Sequence, residues 1–384
     1  MPAKVALLGG GIFATTAYLP VLVSSPDITL HTIWSRSSSS ASKLFSAAKE
    51  GGLSPRSLHG DDGLATVLAD KEIEAVLMVL PLTNQPELII KCFDAGKHVL
   101  SEKPIAKDVE TARSLIDKYE KEYAPKGLIW RVAENWAHEP IIRRAAEVLK
   151  SGKLGPVLYW QQRQESVVLD GNKWQSTPWR TIPDYQGGFI LDGGVHYMAA
   201  LRTILPQLPS RIISTASLHR THLPPHDTVI ALALPPASAA VDPHGPPTSL
   251  ETQRSLSQMP VAPGSSLPTG QILLSCATPD TDTPGPRFRL EITCTNGKLI
   301  LDQSDNWVLS TYGAKGSQIK DETETAESEG VKVEIELFAR KVAGKGEGEE
   351  DLGTPRGALW DLAIIQACLT SDGKEVDIDQ LIKA

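Results

Sequence analysis

From Lys4 to about Glu134, short apolar runs alternate with amphipathic segments. That alternation predicts a parallel sheet covered by helices. Strands are expected at 5–9, 28–34, 74–80, 98–101 and 128–133. Helices are expected at 13–24, 39–49, 64–69, 86–95 and 109–123, two of them followed by stops at Gly51 and Gly96. Beyond Glu134 one helix, 140–151, ends at Gly152 and strand-like segments take over at 157–164, 212–219, 228–234, 271–276, 288–294, 298–302 and 307–310. The step Thr295-Asn296-Gly297-Lys298 reads as a hairpin turn, because Asn-Gly tolerates positive φ. The fold class is therefore α/β: a doubly wound parallel sheet of Rossmann type, then an α+β domain with a mostly antiparallel sheet. The expected domains are 1–134, 135–353, and a C-terminal helix (358–369) and tail within 354–384. Stretch 235–270, crowded with Pro, Ser and Gly, is expected to be a mobile loop, and charge-rich 321–330 a second surface loop.

Composition narrows the function classes. A chain of 384 residues, 41% hydrophobic and 22% charged, exceeds one ordinary core and suits two domains. The net charge of -8, with Lys and Arg scattered, argues against a nucleic-acid partner. No run approaches the ~18 apolar residues of a membrane span, and residues 2–8 lack the longer apolar region of a secretory signal. A cytoplasmic protein with no membrane partner is expected. Cys92, Cys276, Cys294 and Cys368 lie far apart without a Cys-x-x-Cys pair, as buried reduced thiols do.

Candidate chemistry begins at Gly9-Gly10-Gly11-Ile12-Phe13-Ala14, between the first strand and first helix. In that context Gly9 permits a tight turn, Gly11 lets the backbone approach a pyrophosphate, and Ala14 allows close helix–strand packing. Free N–H groups at the helix start attract phosphate. Ile12 and Phe13 of the same turn, and Leu80 at the end of the run 74–80, are also expected to bind the cofactor. NAD enzymes place an acid after the second strand, whereas here Ser35-Arg36-Ser37 follows Trp34. Arg36 offers a planar fork and the serines hydroxyls for a 2′-phosphate, so NADP(H) is favoured over NAD(H).

Two further segments point to catalysis. Glu102-Lys103-Pro104 follows a buried strand at the carboxyl edge of the sheet, where open α/β sheets bind ligands. Gly187-Gly188-Phe189-Ile190-Leu191-Asp192-Gly193-Gly194-Val195-His196 opens an apolar helix. With the helix beginning near Asp192, Asp192 and His196 share a face, and the positive helix end suits the acid and a neutral histidine. An N-cap Asp beside a packed His would look the same. Asn135, Trp136, Trp174, Trp179 and Arg180 are candidates for a substrate wall, since indole faces and a guanidinium fork suit a sugar or polyol ring. Trp136 suits the core equally. His219, His222 and His226 surround Pro224-Pro225, which breaks regular spacing, and no metal site is expected.

Taken together, Glu102-Lys103-Pro104 behind a Rossmann half and Gly-Gly-Phe-x-x-Asp-Gly-Gly-Val-His in the second half resemble the glucose–fructose oxidoreductase / inositol dehydrogenase / rhizopine-catabolism (Gfo/Idh/MocA) family over nearly the whole chain. Ala133-Glu134-Asn135-Trp136 and Trp179-Arg180 look most like a fungal branch of NADP-dependent oxidoreductases. The resemblance implies a C-terminal domain with an open sheet often used for oligomerisation, hence a homodimer or higher oligomer. It also implies that Lys103, Asp192 and His196 stand at the catalytic positions, with Glu102 and Lys103 also in the cofactor site. Lys103 would polarise the reacting oxygen, His196 exchange its proton, and Asp192 orient the substrate. Three other readings stay open: a non-catalytic dinucleotide sensor, an NAD(P)-assisted glycosidase, and a reductase of a non-sugar carbonyl or linear tetrapyrrole.

Overall fold

The computed structural model describes residues 1–183, 185–236, 267–281, 285–345 and 352–383. Most of the expected loop 235–270 therefore lies outside the described residues. The chain divides into two compact units: Met1–Glu139 with Glu329–Leu362, and Pro140–Ser328 with Ala363–Ala384.

The first unit is built on six strands, β1 (Ala3–Leu8), β2 (Ile28–Ser35), β3 (Arg56–His59), β4 (Ala75–Met78), β5 (His98–Glu102) and β6 (Trp130–Ala133). They lie in the order β3-β2-β1-β4-β5-β6, all parallel, the doubly wound dinucleotide-binding topology. β1 and β4 are almost wholly buried because helices cover both faces. Strand β3 escapes the sequence reading since it buries no residue fully. It gains its place by pairing with β2, from Thr32↔Arg56 to Ser35↔His59.

Two helices differ from expectation. The first, expected over 13–24, begins with a π-helical stretch at Ala14–Tyr18, where the Leu19 N–H donates to Ala14 O, and continues as an α-helix at Leu19–Ser24. The widened turn lies just ahead of Pro20, which has no N–H to give. The helix Gly330–Val342 falls within 135–353, the range expected for the second domain. Instead it sets Ile335, Phe338 and Ala339 into the core of the first unit beside Leu7, Tyr18 and Leu100.

Among the described residues the second unit carries nine strands, β7 (Val157–Glu165), β8 (Arg211–Ser217), β9 (Thr228–Leu234), β10 (Thr269–Ser275), β11 (Phe288–Cys294), β12 (Gly297–Gln303), β13 (Trp307–Gly313), β14 (Glu322–Ala326) and β15 (Val376–Asp377). Their order is β14-β13-β12-β11-β7-β10-β9-β8-β15, antiparallel except for β7 with β10. Helices Pro140–Lys150 and Gly188–Ile204 lie against it. Trp160, Ile272, Leu290, Leu299 and Leu301 are buried, while Tyr159, Ile230 and Leu232 are exposed, the alternation of a sheet with one open face.

Strand β14 occupies the stretch expected as a loop at 321–330; Glu322 is exposed and Glu324 pairs with Arg144, while the backbone pairs with β13. The hairpin turn falls on Thr295 and Asn296, since Cys294 pairs with Gly297, and neither turn residue takes a positive φ. Gly297 serves packing instead: a Cβ there would stand 2.3 Å from Tyr312 O. All four cysteines are free and buried, and burial pushes the thiols of Cys92, Cys276 and Cys368 up to about 12 and that of Cys294 to about 11.

Candidate active site

In the first unit the expected cofactor residues gather along the carboxyl ends of the strands. The Gly9 N–H donates to Trp34 O at 2.8 Å, tying the glycine turn to the end of β2. Gly9 has φ +117°, and a Cβ on it would stand 2.0 Å from Val79 O and 3.3 Å from Leu80 Cδ2. The turn is thus pressed against the end of β4, and Leu80 belongs beside it. At Gly11 the space a Cβ would take is open. Ala14 is fully buried in the sheet core. One glycine for the bend, one for open approach and one small residue for packing are what a pyrophosphate cradle requires.

Ser35, the last residue of β2, is buried and Arg36, which follows it, is exposed. Ser37 caps the helix Ser38–Glu50, its Oγ accepting the Ser40 N–H. Ile12 is exposed and Phe13 half-buried, the latter meeting Tyr18 edge-on at 5.8 Å.

Glu102 is the last residue of β5 and pairs in register with Ala133. That register sets Lys103 beside the segment after β6, where Asn135 and Trp136 open a short helix, Asn135–His138, with Glu134 accepting the Trp136 N–H at 3.2 Å. Glu102 is itself buried and accepts a hydrogen bond from the Tyr18 hydroxyl at 2.8 Å. Burial and the adjacent Glu102 and Glu334 charges hold the Tyr18 phenol well above its ordinary range. Tyr18 and Glu334 escaped the sequence reading. The available signal was Glu334 on the apolar stripe of its helix, four residues from Gly330 and from Phe338.

In the second unit the helix carrying Asp192 and His196 begins at Gly188, a turn earlier than expected. Gly187 and Gly188 start it because both are closely packed: a Cβ on Gly187 would meet Leu191, and one on Gly188, at φ +47°, would stand 2.3 Å from Pro224 O. Asp192 thus lies beyond the first turn, and the helix dipole is not what balances it. Arg180 does so: its Nε donates to Asp192 Oδ2 at 2.8 Å, with side chains only 14% and 9% exposed. Arg180 is fixed in turn by Thr177 Oγ1 at 3.2 Å, and its guanidinium lies 3.8 Å from the Trp179 ring centre and 5.8 Å from that of Trp174. The expected substrate residues Trp174 and Trp179 therefore meet on Arg180, which holds Asp192. His196, half-buried, sits one turn further along the same helix.

Two of the three histidines near Pro224 are taken up by different partners. His219 bonds Ser217 Oγ at 2.9 Å and His222 bonds Val168 O at 2.7 Å. Among the described residues no group of three or more His, Cys, Asp or Glu side chains could hold a metal ion, and no helix is long and apolar enough to cross a membrane.

A glycine turn for a dinucleotide and a lysine at the carboxyl edge of a Rossmann sheet, in a chain that also carries a buried acid and a histidine on one helix, define the class of Rossmann-fold oxidoreductases. The chain belongs to the Gfo/Idh/MocA family: the family model described as an oxidoreductase family with an NAD-binding Rossmann fold matches residues 3–125, and the GFO/IDH/MocA C-terminal domain matches 142–239. Dehydrogenase FPY6 of Fusarium mangiferae is 31% identical over 96% of this chain and 95% of its own. An uncharacterized protein of Saccharomyces cerevisiae is 27% identical over 98% and 97%. Both relatives are fungal, in keeping with the branch resembled. Among solved structures, an oxidoreductase from Thermotoga maritima superposes with a TM-score of 0.77 at 27% identity, covering 99% of this chain and all of that one.

Proposed function

We propose that this protein is an NADP(H)-dependent oxidoreductase that transfers hydride between the nicotinamide and a hydroxyl- or carbonyl-bearing carbon of a sugar, polyol or related small carbonyl compound. The observation that carries the reading is Lys103, set at the carboxyl end of β5 in the sheet whose Gly9–Ala14 turn is open at Gly11. The turn and Leu80 would hold the dinucleotide, and Arg36 with Ser35 and Ser37 its 2′-phosphate. The bound nicotinamide supplies the hydride acceptor or donor. Lys103 polarises the reacting oxygen, His196 takes or returns its proton, and Asp192, held by Arg180, orients the substrate. Trp174 and Trp179, with Asn135 and Trp136, offer ring faces and an amide to a polyhydroxylated ligand. The open face of the nine-stranded sheet, with Tyr159, Ile230 and Leu232 exposed, supports a homodimer or higher oligomer through that face.

NADP+ reduction and NADPH oxidation against a panel of aldoses, polyols, inositols and dicarbonyls test the reading. Lys103→Ala and His196→Ala are each expected to lower kcat by about a thousandfold or more while NADPH still binds. Wild-type turnover in either variant removes that residue from the mechanism. Silence across the whole panel favours a dinucleotide sensor, and release of a free sugar with no net change in NADP(H) a glycosidase.

A further inference from the structure

Beneath Lys103 the first unit buries an acidic cluster that the reaction above does not use. Glu102, Glu134, Glu139 and Glu334 are 7%, 2%, 0% and 3% exposed. Three of them accept hydrogen bonds: Glu102 from the Tyr18 hydroxyl at 2.8 Å, Glu134 from the Trp136 N–H at 3.2 Å, and Glu139 from the Glu329 N–H at 3.0 Å. Among the described residues Glu334 Oε2 has no hydrogen-bond partner. Its helix, Gly330–Val342, packs against β1, β5, β6, the π-helical turn and Asn135–His138. It is pressed so close that a Cβ on Gly330 would stand 2.2 Å from Asn135 O and 2.8 Å from Glu139 Oε1.

We propose that Glu334 is a positioning residue for the hydride-transfer reaction, acting from this helix through Glu102 to hold Lys103 in place. The inference rests on the role given to Lys103 above. Of the charged groups brought by the elements packed around it, Glu102, Glu134 and Glu139 repel an ionised Glu334, and Lys103 attracts one. Tyr18 is committed to Glu102, and His138 is buried on the neighbouring short helix. Arg131 donates to Trp130 O at 2.5 Å, Lys4 pairs with Glu72 at 2.8 Å, and His98 accepts the Ile129 N–H at 2.9 Å. A fourth ionised carboxylate buried among Glu102, Glu134 and Glu139 is costly, so Glu334 keeps its proton. Burial and its three acidic neighbours accordingly hold it well above the ordinary carboxylate value of 4.5. With Glu334 neutral, Lys103 is left to balance Glu102 at the strand end. Once Glu334 ionises, it competes for the lysine and draws it away from the reacting oxygen.

The consequence for stability has a definite sign. A carboxyl whose pKa is raised on folding binds its proton more tightly in the native state, so stability falls as pH rises above 4.5. Glu334→Gln cannot lose that proton. Thermal unfolding of the full-length wild type and the Gln variant between about pH 4 and 9 should show the variant gaining on the wild type as pH rises. A constant difference in melting temperature overturns the bound proton, and the proposal with it. Glu334→Met, apolar and of similar length, gives the same comparison if the Gln variant does not fold.

Turnover supplies the second arm, using NADP+ and whichever aldose or polyol the wild type oxidises fastest. The wild-type kcat/KM should fall about tenfold per pH unit on an alkaline limb that the Gln variant lacks. The same limb in both proteins overturns the coupling to Lys103. Should Lys103→Ala turn over like wild type, or the wild type turn over nothing, the functional reading fails and the positioning role falls with it. The melting comparison still decides separately whether Glu334 holds a proton.

Discussion

At the carboxyl edge of the parallel sheet, the proposed functional positions are fixed by backbone: Gly9 is pressed onto Val79 O, and Lys103 stands where β5 ends in register with β6. In the second unit, Asp192 is held by side chains, through Arg180, which in turn lies on Trp179 and against Thr177. A site set by strand ends tolerates side-chain changes around it but not a change of backbone shape. A site set by a chain of side chains fails when one link is removed, whatever the backbone does. The two regions should therefore break differently.

The largest effect is expected at Gly9. Alanine there meets a carbonyl oxygen at 2.0 Å and must hold φ +117°. Strain and overpacking together cost about 3 kcal/mol or more. We expect Gly9→Ala to lower the melting temperature and weaken NADPH binding at least about a hundredfold, read by nucleotide fluorescence titration. Gly11→Ala, whose Cβ would enter open space, should fold normally and lose only the nucleotide. Equal melting losses in the two variants would show that the turn is not pinned at Gly9.

Arg180 tests the other kind of construction. Removing one member of a buried ion pair leaves its partner uncompensated, a cost of about 3 kcal/mol in stability. We expect Arg180→Ala to lower kcat/KM about a hundredfold through the displaced Asp192 while NADPH binding stays intact. Arg180→Lys keeps the charge but not the planar fork or its stacking on Trp179. It should recover much of the stability and little of the activity. Full activity in the lysine variant would reduce Arg180 to a charge balance.

This contrast also explains what could be read from the sequence. Gly9, Gly11, Ala14 and Lys103 were legible because local order along the chain, strand then turn then helix, fixes their positions. Asp192 and His196 were legible as a pair because four residues make one helical turn, but the helix start was misplaced. The close packing of Gly187 and Gly188 on Leu191 and Pro224 is a tertiary fact with no local signature. The sequence suits Arg180 to a substrate wall, yet its salt bridge to Asp192 joins residues twelve positions apart. Glu334 lies further still from local signals, 232 positions along the chain from Glu102. Only the return of Gly330–Val342 to the first sheet brings the two together. Strand β3 stayed hidden for a related reason, since its four residues are held by pairing rather than burial.

Arg36 carries the smallest and most selective expectation, and it bears on the backbone-built region alone. It is exposed after β2 and no acid follows the strand, so its contribution begins only when a 2′-phosphate is present to receive its fork. Charge-assisted hydrogen bonds of this kind are worth about 1.5–3 kcal/mol. Arg36→Ala should then weaken NADPH about ten- to a hundredfold and leave NADH nearly unchanged. Thermal stability should not move, because the wild-type side chain is exposed in the fold itself. Equal losses for the two nucleotides would mean that Arg36 supports the turn rather than reading the phosphate, and the preference for NADP(H) would then have to come from Ser35 and Ser37. Ser37 already spends its oxygen on the Ser40 N–H as a helix cap. A double variant, Arg36→Ala with Ser35→Ala, would then decide whether the end of β2 discriminates between the nucleotides at all.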